Sequence, residues 1–133
     1  MLVTSEKQLL GAHGSLDLSK ALAQLEGDRQ LLVEISQIFI ETYPQLLEQI
    51  HNALAASNQQ QLIAAAHTLA SSAGQIGAVK GHAMAKKLEE MGRRHELSLA
   101  TGTAAELDAE IRLVASAISN DASPYSSLPQ AEA

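Results

Sequence analysis

The sequence predicts an all-α protein, an antiparallel four-helix bundle with a short additional N-terminal helix. Three observations predict it. Apolar residues recur at steps of three and four over several long stretches, and no alternating strand pattern competes. Short polar or glycine breaks separate those stretches, as tight turns between antiparallel helices require. The chain is 46% hydrophobic, yet Phe39, Tyr43 and Tyr125 are its only aromatics, so Leu, Ile, Val, Ala and Met must build the core. Alanine and leucine richness favours helices. A length of 133 residues fits one domain.

The elements follow in order. Residues 1–15 read as a flexible leader. In "DLSKALAQLEG", Leu18, Leu22 and Leu25 stand at helical spacing, and Gly27 is a stop. Asp28 then caps a long segment over 28–56, because its carboxylate accepts first-turn N–H groups. Its inward face is predicted as Leu31, Ile35, Ile38, Phe39, Thr42, Leu46, Ile50, Ala53 and Leu54. Pro44 predicts a kink or short break near Glu41 to Tyr43. Ser57 with Gln60, or Asn58 with Gln61, forms a capping box for a helix from Gln59 to Ile76. Gly77 and Ala78 break it. The next helix runs from Val79 to His95, with Met84, Leu88, Met91 and His95 along one side. "ELSLATG" is then a connection. Thr103 and Glu106 cap the last helix, whose stripe is Leu107, Ile111, Val114 and Ile118. The helical bundle thus covers residues 16–118. From Ser119 to Ala133 the chain is polar, carries two prolines and reads as a disordered tail.

Composition excludes several classes. There is no cysteine, so disulfides, thiol catalysis and zinc–thiolate sites are out, and a reducing, cytoplasmic setting is compatible. The formal net charge of −6 argues against nucleic-acid and anionic-membrane binding. No apolar run approaches the roughly 18 residues of a membrane span. The N-terminus lacks the basic-then-apolar layout of a signal peptide. No phosphate-cradling glycine loop and no H-E-x-x-H metal spacing occurs. Met1 and the polar tail point to a free-standing protein, and a complete four-helix core to a monomer.

The stretch "AAAHTLASSAGQIGA", residues 64–78, carries the chemistry. With about 100° of rotation per residue, Leu62, Ala66, Leu69, Ala73 and Ile76 fall within about 40° of one direction, the core side. His67 lies about 140° away and faces solvent. Ala64 and Ser71 are one turn from it, and Gly74 is two. Surface helix positions usually carry Glu, Lys, Arg or Gln. Here an imidazole stands on a bare face that another protein's active site can reach. Neutral imidazole is a good nitrogen nucleophile near neutral pH, since a free histidine side chain titrates near ~6.5. With no Ser or Cys dyad near it and no evident pocket for a small substrate, His67 suits carrying a phosphoryl group between proteins. An incidental surface histidine is the plain alternative. His13, His51, His82 and His95 read as leader, surface or helix-end residues.

This stretch resembles the central pattern of the histidine-containing phosphotransfer (HPt) domains of multistep two-component signalling, A-H-x-L-K-G-[SA]-[SA]-x-x-[LI]-G. The matching residues run from Ala66 to Ala78. "GDRQLLVEISQIFIETYPQLLEQIHNAL" upstream and "AMAKKLEEMGRR" downstream resemble the family's flanking helices. The resemblance spans roughly Leu16 to Ile118. It implies a phosphorelay intermediate: His67 accepts a phosphoryl group from a receiver-domain aspartate and passes it to another. It implies response-regulator receiver domains and a hybrid histidine kinase as partners. It implies a phosphocarrier with no kinase activity and no cofactor of its own, the receiver bringing Mg²⁺. The ring nitrogen farther from the backbone would be phosphorylated, and the other held by Glu89 on the next helix. Ala64, Ala70, Ser71, Gly74, Lys86 and Lys87 would form the docking face.

Two positions depart from the pattern. The family's lysine, three residues after the histidine, is Ala70, and its glycine is Ser71. Lys80, Lys86, Lys87, Arg93 and Arg94 are candidates to replace the lost charge, although Lys86 with Glu90 also reads as an ordinary helix ion pair. A second function class follows from Ala70: a non-phosphorylated adaptor that docks receivers without transfer. A third, a hydrolase using His67 and Glu89, requires a deep pocket beside His67. Met84 and Met91 read as core. Gly74 helps keep the histidine face open.

Overall fold

Asp28 starts the longest helix as its position implies, its side chain accepting the Leu31 N–H at 3.0 Å. In the computed structural model, which describes residues 16–119, five helices follow in order. They are α1 (Leu18–Gln24), α2 (Arg29–Ala55), α3 (Gln59–Gln75), α4 (Val79–Arg93) and α5 (Leu97–Ser119). No strand occurs among the described residues. The leader over 1–15 and the tail from 120 lie outside the described residues, and Ser119 is the last residue of α5.

Asp17 and Asn58 cap α1 and α3 as Asp28 caps α2, accepting Lys20 N–H at 3.0 Å and Gln61 N–H at 3.1 Å. Of the two boxes offered at the start of α3, Asn58 is the cap. The first four helices end alike. Gly27 N–H donates to Leu22 O, Asn58 to Ala53 O, Ala78 to Ala73 O and Glu96 to Met91 O. In each case the residue just before the donor has positive φ: Glu26, Ser57, Gly77 and His95. This six-residue closure satisfies carbonyls that the helix end leaves free. The turns between α2, α3, α4 and α5 are short, so successive helices run in opposite directions. They pack as a ring, with α5 returning to α2.

Leu32, Phe39, Leu47 and Ile50 of α2 meet Leu62 and Leu69 of α3, Leu88 of α4, and Leu107 and Ile111 of α5, each 2% exposed or less. Burying nine such side chains contributes roughly 1.5–3 kcal/mol each before conformational entropy is counted. α1 lies on the turn between α3 and α4. Asp17 N–H donates to Gly77 O at 2.7 Å, and a Cβ on Gly77 would collide with Asp17 O.

The structure corrects several expectations. The first half of α2 is turned from its predicted face: Leu31 and Ile38 are 37% and 57% exposed, while Leu32 and Ser36 are buried. The true stripe passes through a serine, which an apolar pattern discards. Pro44 does not break α2, whose helical run continues through Glu41 to Tyr43. Tyr43 stacks on Phe39 there, with ring centroids 5.7 Å apart. "ELSLATG" is not a connection: α5 starts at Leu97, and Ala100, Thr103 and Ala104 are buried in it, so Thr103 is no cap. Gly102 weakens the local helix preference, but docking of its neighbours outweighs it. His95 lies outside α4, in the left-handed position that ends it. Met84 and Met91 pack against the core as expected, though each is only partly buried. The inward face of α4 is Gly81, Ala85, Leu88, Glu89 and Gly92.

Non-glycine residues at left-handed positions cost roughly 1–2 kcal/mol. Ser57→Gly and His95→Gly should therefore each stabilise the fold by about 0.5–1 kcal/mol in urea unfolding. Gly77→Ala, which meets both positive φ and Asp17 O, should lower stability by about 2 kcal/mol or more.

Candidate functional site

His67 projects from α3 where its 140° offset from the core places it, with its side chain 60% exposed. Ala64 and Ser71 beside it are exposed and Gly74 is half-buried, so the face around the ring is low. Ala70 is a correction. It is 2% exposed, so its methyl lies in the core and adds nothing to an outer face. At about 80° from the core direction, its side is covered by α4. Its carbonyl accepts a hydrogen bond from His82 Nδ1 at 2.7 Å.

The partner of His67 is delivered by α4. Gly92 and Gly81 let that helix come close to its neighbours. A Cβ at 92 would stand 2.9 Å from Ile63 Cγ1 of α3, and one at 81 would stand 2.9 Å from Ile111 Cδ1 of α5. Glu89 occupies the same inward stripe, and its side chain is 6% exposed. From there Oε2 lies 3.1 Å from His67 Nδ1. Arg93, one turn later on α4, donates from Nη2 to the same oxygen.

The charge state of Glu89 sets the histidine tautomer. Burial pushes its carboxyl up, but hydrogen bonds from Arg93 and His67, with their charges, outweigh burial and hold it below its ordinary value. Ionised, it has no proton to donate. The Nδ1 proton must therefore be on the ring, and the lone pair on Nε2 faces outward.

Among the five cations left open by spacing, Arg93 meets this carboxylate. Lys80 lies 3.9 Å from Glu110 of α5. Arg94 pairs with Glu90 at 2.9 Å, so the expected Lys86–Glu90 pair is not the one formed. Lys86 and Lys87 are exposed on α4. His82, read as unremarkable, is half-buried, and its ring packs where a Cβ on Gly74 would be 3.1 Å from Nδ1. Gly74 thus makes room for His82 as well as keeping a low face. A pattern search has no signal for that pairing across two helices.

A groove of about 370 Å³ opens beside this face, between α1 and the α3–α4 turn. Ser71 lines it, but His67 and Glu89 do not. The histidine thus stands outside that groove, with its side chain 60% exposed.

A second histidine meets a similar set of groups elsewhere. His51 Nε2 on α2 lies 2.8 Å from Asp108 Oδ2 on α5, and Arg112 donates to Asp108 Oδ1 at 2.6 Å. There the carboxylate takes the outer ring nitrogen.

Among the described residues His51, His67 and His95 are exposed, and His67, on the outside of a helical bundle, is held at its inner nitrogen by a buried acid. The family model described as Hpt domain matches residues 34–117. The chain belongs to that family, and membership implies phosphotransfer in two-component signalling and interaction with receiver domains. No curated protein and no solved structure matches the chain significantly. Among the described residues, no helix is long and apolar enough to cross a membrane.

The lowered Glu89 value has a consequence for stability. Folding favours the ionised carboxylate, so its contribution is complete above the ordinary value of 4.5 and is lost as pH falls through the folded value. The urea midpoint of wild type should exceed that of Glu89→Gln by about 1–3 kcal/mol in stability at pH 7. That gap should narrow as pH falls from 4.5 through the lower folded value.

Proposed function

We propose that His67 is the phosphoryl carrier of this domain. Its Nε2 lone pair attacks the phosphorus of a phospho-aspartate on a receiver. The P–O bond to that aspartate breaks, its carboxylate leaves, and an N–P bond forms. Nδ1 keeps its proton, and the positive charge that develops on the ring is held by Glu89. In the second half, an aspartate oxygen of another receiver attacks phosphorus, the N–P bond breaks, and the electron pair returns to Nε2. The receiver supplies Mg²⁺. The domain acts as a cytoplasmic relay piece with no kinase activity of its own.

The single observation that carries this reading is the contact of Glu89 Oε2 with His67 Nδ1 while the ring stays 60% exposed. It supplies a fixed tautomer, an outward nucleophile and room for a partner. Arg93 takes over the charge role of the missing lysine. The transferred group carries about two negative charges, and a guanidinium beside the shared carboxylate offsets them. Ala70 supports a second reading, a receiver-docking adaptor without transfer, since no cation stands at that position.

Incubation with phosphorylated receivers from the same genome separates the two. Wild type should take acid-labile label, and His67→Gln should take none. Equal label on both would overturn the carrier role, while receiver binding without label would favour the adaptor. Arg93→Ala should slow transfer about tenfold. Glu89→Ala should slow it more than Glu89→Gln, whose carbonyl still accepts the Nδ1 proton.

A further inference from the structure

The groove between α1 and the α3–α4 turn has fixed walls. The bond from Asp17 N–H to Gly77 O pins the start of α1 to the turn. His82, anchored through Nδ1 to Ala70 O, lines the groove from α4 with its ring against Gly74. The remaining lining is Lys20 and Gln24 from α1, Ser71 and Gln75 from α3, and Val79 from α4. Among the described residues no acidic side chain lines it, although the chain carries 15 acidic residues against 9 basic ones. Among the described residues, Lys20 has no ion pair, and the side chains of Gln24, Ser71 and Gln75 have no hydrogen-bond partner. Val79 at the rim is 42% exposed.

From these observations we infer that the groove is a specificity subsite for the partner receiver, taking an acidic side chain of that protein flanked by an aliphatic one. The carboxylate meets Lys20 and the amide and hydroxyl donors, and the aliphatic neighbour covers Val79. Two features select this occupant. The described lining is donor-rich and carries no acid, on a net acidic chain, so charge complementarity favours an anionic group. It also continues from the His67 face, because Ser71 belongs to both. A receiver seated on His67 therefore covers the groove in the same encounter. Charge at such a rim acts chiefly on encounter rate and partner choice. This inference rests on the carrier reading for the identity of the partner.

The test separates the two. Purified receiver domains from the same genome are titrated against the full chain in a His67→Gln background, so that binding is read without chemistry. Lys20→Glu should weaken the preferred receiver by roughly three- to tenfold and flatten its salt dependence, and Lys20→Gln should have a smaller effect. Val79→Asp should weaken it as well. Far-UV circular dichroism checks that each variant folds. Unchanged affinity in Lys20→Glu and Val79→Asp would overturn the subsite and leave the carrier reading standing. Binding of no receiver at all would overturn the subsite too, and label transfer to His67 would then judge the carrier reading separately.

Discussion

How closely α4 lies against α3 decides whether this protein has a site at all. Glu89 reaches His67 from an inward position on α4, and that position exists because its helix turns glycine toward both neighbours. Where Gly92 passes Ile63, a single methyl group would require Ile63 or the helix to shift. The same approach buries Glu89, and burial of an acid is tolerable only because Arg93 and His67 both donate to it. Packing, ionisation and tautomer are therefore one linked arrangement. The small residues of α4 act at a distance from the imidazole, through the carboxylate they allow in.

Local chemistry made much of the fold legible. Asp28 and Gly27 mark the start of α2 and the end of α1 because caps and left-handed stops act within a few residues. The start of α3 at Gln59 and of α4 at Val79 follow from the same short-range signals. The misreadings came where tertiary contact outweighed local preference. Ser36 belongs to the buried stripe of α2 although its side chain is polar, so the pattern slid by one position toward Leu31 and Ile38. α5 begins at Leu97 because Ala100, Thr103 and Ala104 dock, despite Gly102 and the hydroxyl-bearing residues around it.

The site was legible in part. Helical rotation alone puts His67 outside. Glu89 as its neighbour came from the family pattern, since spacing along α4 says nothing about where that helix crosses α3. Arg93 could not be separated from four other cations until the crossing was known. Lys20 could not be connected to this face by any rule of sequence, because its relevance depends on the place where α1 lies. Ala70 shows the opposite case. The family pattern groups it with the outer face, yet it is buried.

The two histidine–acid–arginine sets of this chain amount to a comparison that nature has run within one molecule. Composition and partners nearly match at His51 and His67, but the rings are attached from opposite edges. At His51 the acid occupies the nitrogen at the tip of the ring and leaves the one crowded by its own main chain. At His67 the crowded nitrogen is occupied and the tip is left bare. Which ring nitrogen stays open for chemistry thus depends less on which residues assemble than on which end of a five-membered ring is tied down, a choice of edge that no composition of neighbours would disclose.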